Sequence, residues 1–287
     1  MKKLYVMLAV SILAFSACSK DDEPKAGTGA AELYTRVIGK WTFANITLDA
    51  PPSTGRTAFS RQAPLARTTE EEVQSFIEFQ SDSTYYLYDS EGKFYQGTFT
   101  VKDSVTISMG DFGTLNNITF AQGVLNFTLL YYGTKEIVIT ANKAPGVALT
   151  DSTKLFCLNW HLTQEDDGAM LYTAARVVFN ANGEAIGSFV ADSITFQMTS
   201  AGTYIVRMFK DKQLRTADVF YWKWHSSLPA YFVYWDSTNE PNEELNKAQI
   251  RELTKDIFRM SEDTDHDGDG IISANESGNW TFTPADK

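Results

Sequence analysis

Short runs in which apolar and polar residues alternate, each closed by a turn, recur along most of this chain and leave it few ways to fold. Phe76-Ile77-Glu78-Phe79 leads through Ser81-Asp82-Ser83 into Thr84-Tyr85-Tyr86-Leu87-Tyr88, and Ser90-Glu91-Gly92-Lys93 turns the chain into Phe94-Tyr95-Gln96-Gly97-Thr98-Phe99. Further runs over residues 104–109, 117–120, 124–132 and 136–140 are parted by Gly110, Gly113, Gly123 and Gly133. A period of two puts successive side chains on opposite faces of a strand, and turns every 8 to 12 residues or so fold each strand back on its neighbour. With no convincing amphipathic helix, the pattern predicts a mainly β protein, an antiparallel barrel or sandwich. Ile38-Gly39-Lys40-Trp41-Thr42-Phe43 opens this unit, and residues 49–72, rich in Pro, Arg and Thr, predict a long mobile loop.

The pattern then begins again. Residues 155–162 read as a strand that carries Trp160 as the opening strand carries Trp41, and residues 193–206 echo the run from Phe79 to Tyr85. The Trp-to-Trp offset is 119 residues and the Phe79-to-Phe196 offset 117, which predicts a duplicated domain. The expected division is 33–142 for the first β domain, 143–153 for a linker containing Ala144-Pro145-Gly146, and 154–287 for the second. Residues 218–224 and 231–235 are strand-like. Residues 240–262 fit two strands about a Thr-Lys-Asp turn; the alternative is a helix at about 241–261, which would make the second domain α+β.

The N-terminus has Lys2 and Lys3 before an apolar run from Leu4 to Phe15, too short to span a bilayer, and reads as a signal peptide over residues 1–17. Phe15-Ser16-Ala17-Cys18 resembles the lipobox of bacterial lipoproteins, with Phe15 where Leu is usual. That resemblance implies a lipid on Cys18 and a membrane partner through it; plain secretion is the alternative. Ser19-Lys20-Asp21-Asp22-Glu23 resembles the signal that sends Bacteroidota lipoproteins to the outer face of the outer membrane, and a solvated acidic tether reads the same residues. Residues 18–32 would then be lipidated Cys and disordered tether. Losing Lys2 and Lys3 takes the net charge from −11 to −13, which argues against a nucleic-acid partner. The second of two cysteines, Cys157, reads as a small core hydrophobe.

One segment carries explicit chemistry. Counting from Asp265, the chain places carboxylates at positions 1, 3 and 5 (Asp265, Asp267, Asp269), Gly270 at 6, the Ile271 carbonyl at 7, Ser273 at 9 and Glu276 at 12. Calcium takes six to eight oxygens, and this is the order in which an EF-hand loop presents them. The alternative is a solvated acidic turn. Strand-like Trp280 to Thr283 follows in place of an exit helix, so the expected role is a static calcium clip in a hairpin rather than a sensor.

The Gly-Lys-Trp opening, the Phe-x-x-Asp-Ser-Thr-Tyr turn, the late Ile-x-x-Leu-Thr pair and the closing Trp280-Thr281-Phe282-Thr283-Pro284 resemble the lipocalin-like domains of Bacteroidota lipoproteins. The resemblance implies two tandem antiparallel eight-stranded barrels and a binding rather than catalytic role. Trp222, Trp224, Tyr234 and Trp235 are candidate contacts for an apolar or glycan ligand, and plain core packing accounts for the same aromatics. The alternative function is a structural accessory subunit of an outer-membrane protein complex. An enzyme is not expected, since the three histidines, His161, His225 and His266, fall in no hydrolase or phosphate-loop motif.

Overall fold

The computed structural model describes residues 29–48, 74–90, 92–179, 185–235, 243–244, 246–264 and 277–285. The signal segment, Cys18, the loop expected over 49–72 and the acidic loop 265–276 lie outside the described residues.

The first half forms helix α1 (Gly29–Val37) and strands β1 (Gly39–Leu48), β2 (Phe76–Phe79), β3 (Thr84–Tyr88), β4 (Phe94–Thr98), β5 (Thr100–Val101), β6 (Ile107–Ser108), β7 (Gly113–Ala121), β8 (Val124–Tyr131) and β9 (Lys135–Lys143). Their order in the sheet is β4-β3-β2-β1-β9-β8-β7-β6-β5. Only Phe99 separates β4 from β5, and its N–H donates to the Ser83 carbonyl at 2.8 Å. The two are one broken strand, paired with β3 on one side and β6 on the other, so the sheet curls back on itself as an eight-staved barrel. Alternate residues fill it: Leu125, Phe127 and Leu129 of β8 face Ile137, Ile139 and Ala141 of β9, all buried. Each large apolar side chain so enclosed contributes about 1.5–3 kcal/mol.

The second half repeats the plan. Helix α2 (Asp151–Phe156) precedes β10 (Asn159–Leu162); α3 (Gly168–Thr173) and the hairpin β11 (Ala175–Phe179)–β12 (Ala185–Val190) are inserted next. Then come β13 (Ser193–Met198), β14 (Thr203–Lys210), β15 (Gln213–Trp224), β16 (Tyr231–Trp235), β17 (Asn246–Leu253), β18 (Phe258–Thr264) and β19 (Ser277–Pro284). β10 pairs with both β13 and β19 and closes an eight-stranded meander. Two such barrels are compatible with a lipocalin-like architecture.

Four separate features repeat at one offset of 119 residues. The Trp41 indole N–H donates to the Val37 carbonyl at 2.6 Å and that of Trp160 to Phe156 at 3.3 Å, each indole satisfying a carbonyl at the end of the preceding helix. Trp41 pairs with Ile77 as Trp160 pairs with Phe196. Glu78 pairs with Tyr86 as Gln197 pairs with Ile205. Ser83 (φ 68°) and Gly202 (φ 79°) take the same left-handed turn position. The counterpart of Phe79 is therefore Met198, and the Phe79–Phe196 match slips by one pleat repeat, because inward positions two apart both carry large apolar residues.

Two helical segments correct the sequence reading. Residues 155–162 are not one strand: Thr150 Oγ1 accepts from the Thr153 N–H at 3.1 Å and starts α2 ahead of β10. Likewise α1 begins at Gly29, inside the stretch expected to be tether. The helix considered for 241–261 does not form. β17 and β18 occupy that stretch, with Ala248, Phe258 and Met260 turned into the barrel at a period of two.

Candidate functional site: the inter-barrel cleft

The barrels meet through outward faces of β2 and β3 on one side and β14 and β15 on the other. Phe76, Tyr86, Ile205 and Val219 form a separate buried cluster there, with Tyr88, Phe94 and Ala217 around it. Polar groups are sealed in as well. Lys40, 3% exposed, donates from Nζ to Thr203 Oγ1 at 3.0 Å and lies 4.1 and 4.2 Å from the ring centroids of Phe76 and Tyr221. Thr203 and the Gln80 amide in turn donate to the fully buried carboxylate of Glu78. Tyr86 OH donates to Gln197 Oε1 at 2.9 Å. Burial pushes the Lys40 ammonium down to about 8, against the opposing pull of Glu78.

Beside this seam lies a cleft of about 650 Å³. Barrel 1 contributes Lys40, Phe43 and Lys143, the segment joining the barrels contributes Ala144 to Val147, and barrel 2 contributes Tyr221, Trp222, Lys223, Trp224 and Trp235. The Tyr221 and Trp235 rings lie side by side, centroids 5.8 Å apart at 31°. Lys143 donates from Nζ to the Ile38 carbonyl at 2.6 Å and sits over Trp41, and burial lowers its pKa. Lys223 pairs with Glu243 at 2.9 Å; hydrogen bonds from Ser226, together with Lys223, hold that carboxyl down at about 2.

Three of the four aromatics singled out in the sequence thus line one cleft, by different amounts. Trp222 is 1% exposed, its indole bound to the Thr199 carbonyl at 2.9 Å. Trp224 is half-buried against Phe156 and bonds Thr153 Oγ1 at 3.0 Å. Trp235 is half-buried on the outer face. Tyr234, one residue earlier, faces the barrel interior beside Tyr204 and Phe220 and donates to Glu262, which also accepts from the Trp280 indole at 3.0 Å.

Sequence reasoning missed Lys40, Glu78 and Tyr221. A signal existed: Phe76–Phe79 and the Tyr-Ile-Val core of β14 are apolar on both faces, as strands covered on both sides are. Cys157, a free half-buried thiol, is pushed up to about 12 by burial, in keeping with a packing role.

Strand polarity places α2 and Phe156 at one end of barrel 2, and at the other the β11–β12 insertion and the ends of β18 and β19 that flank residues 265–276. Asp263 pairs with Ser277 and Glu262 with Gly278, so the two chain ends entering that loop lie on adjacent strands. Among the described residues no cluster of three or more metal-ligating side chains could hold an ion.

Comparison with protein-family models finds no match, and no curated protein matches the chain.

Proposed function

We propose that this chain is a non-catalytic binding module whose inter-barrel cleft takes a glycan, held at the outer face of the outer membrane through a lipid on Cys18 and stapled by one calcium ion. The observation that carries the reading is the aromatic wall of the cleft. Tyr221, Trp224 and Trp235 offer half-buried ring surface on fixed strands, flanked by lysines and amides, and a sugar ring presents a C–H face to stack and hydroxyls to bond. The barrel interiors favour an apolar ligand less. Side chains fill both, Phe112 closing one end of the first barrel and Phe156 one end of the second.

Calcium would be held by Asp265, Asp267, Asp269, the Ile271 carbonyl, Ser273 and Glu276. The 12 residues between Thr264 and Ser277 match the length of an EF-hand loop. Its first and last ligands must reach one ion, and the described strand ends on either side of the loop are paired neighbours, Asp263 with Ser277. The ion would neutralise four carboxylates and tie the hairpin shut. A structural subunit of an outer-membrane complex remains the second reading, and co-purification from detergent extracts separates the two.

A neutral-glycan array probed with the wild type and with Trp235→Ala tests the cleft. Hits that Trp235→Ala loses support it, and an array with no hit, or with hits indifferent to Trp235, removes it.

A further inference from the structure

A second and larger groove, about 1100 Å³, runs along the outer face of barrel 2 beside the seam, and the aromatic cleft shares none of its lining. Arg207 is its central charge. Val206 and Met208 face into the barrel, so Arg207 points outward, yet it is only 6% exposed, its guanidinium carbon 5.4 and 5.8 Å from the ring centroids of Tyr86 and Phe94. Nε donates to Gln96 Oε1 at 2.8 Å. Among the described residues no carboxylate lies within ion-pair distance of it. An enclosed cation without a counter-ion is costly, and burial correspondingly lowers its pKa.

The surrounding groups suit a hydroxylated ligand. Nε of an arginine can only donate, so Gln96 must present its oxygen to Arg207, which leaves its amide NH₂ as a spare donor. Gln197 spends its oxygen on Tyr86 OH in the same way. Thr195 and His161 complete the polar wall. Two acids also line the groove, Asp192 and Asp211. Asp192 accepts from the Asp211 N–H at 2.7 Å and lies 3.9 Å from Lys210. The two carboxylates offset the two cations of the lining, Arg207 and Lys212, which disfavours a dianion such as a phosphate monoester, and a single carboxylate matches the planar fork of Arg207.

We infer that this groove binds a monocarboxylated sugar, a hexuronate unit, with Arg207 supplying the counter-charge and the Gln96 and Gln197 amides bonding ring hydroxyls. The site stands independently of the aromatic cleft. Calorimetry on the intact protein would compare galacturonate, which carries one carboxylate, with its methyl ester, in which a neutral ester replaces that carboxylate. The acid should bind roughly tenfold to a hundredfold more tightly, the range of a charge-assisted hydrogen bond. Arg207→Gln should erase that difference. Because Arg207 sits at the seam, Asn159→Trp provides a second variant: an exposed lining position filled with bulk should abolish binding while thermal unfolding stays unchanged. Equal binding of acid and ester, no binding of either, or full binding by both variants would overturn the inference. Loss in Trp235→Ala with retention in Arg207→Gln would also overturn it, by moving the acid to the aromatic cleft.

Discussion

Lys40 and Glu78, linked through the Thr203 hydroxyl, show how two buried ionisable groups govern the seam. Lys40→Met removes a buried ammonium whose desolvation outweighs the pull of Glu78, and Glu78 keeps its bonds from Thr203 and Gln80, so near neutral pH it should change stability by no more than about 1–1.5 kcal/mol, the worth of the lost bond to Thr203; denaturant unfolding of the four-member cycle with Glu78→Gln measures the coupling. The pair also shapes the pH response. The folded-state pKa of Lys40 is about 8 against 10.5 for a free lysine. Below pH 8 both states hold the proton and the cost of burying the charge is fully present. From about pH 8 towards 10 the unfolded chain binds more protons, so stability should rise with pH. Further up the trend reverses, because Tyr85 and Tyr131 are pushed up to about 12 and stay neutral when the unfolded chain ionises. Melting temperature against pH should show the rise in the wild type and not in Lys40→Met. None of this was legible from Lys40 itself: a lysine on the outer face of a strand reads as solvated until a second barrel covers it.

At the scale of elements the repeat decides what the sequence could disclose. Strands announce themselves by period two, so β1–β4, β7–β9 and β13–β18 were readable, including the choice of strands over a helix at about 241–261. Helices α1 and α2 were not, because each buries little more than one or two side chains, such as Leu33 and Val37 or Phe156, and so has no long apolar stripe. Their anchor is the indole bond from Trp41 or Trp160. Trp160→Phe keeps most of the aromatic volume but leaves the Phe156 carbonyl without that donor, and should lower stability by about 1–3 kcal/mol in chemical denaturation. The shared turn offers a paired test. At Gly202 a Cβ would meet the Trp222 carbonyl oxygen at 3.2 Å in a left-handed conformation, so Gly202→Ala should cost about 1–2 kcal/mol, while Ser83→Gly at the equivalent position should be neutral or stabilising.

For the whole molecule, back-to-back packing shapes both grooves: residues of both barrels line the aromatic cleft, and Gln96 of barrel 1 walls one side of the groove along barrel 2. The aromatic candidates were legible as a group, but not their division, since Tyr234 and Trp235 differ only by which side of β16 they occupy. Calcium belongs at this scale because it would clip the last hairpin of the second barrel. Added calcium should raise the melting temperature, and Asp265→Ala with Glu276→Ala should remove the shift; a shift that survives the double substitution would refute the site. The aromatic cleft itself is tested most directly by the six tryptophan indole N–H signals, followed by ¹H–¹⁵N correlation spectra during titration with an array-selected neutral oligosaccharide. Trp224 and Trp235 should shift together while Trp41, Trp160 and Trp280 stay fixed. Movement of Trp280, beside Glu262 in the second barrel, with Trp224 and Trp235 unmoved would contradict the account.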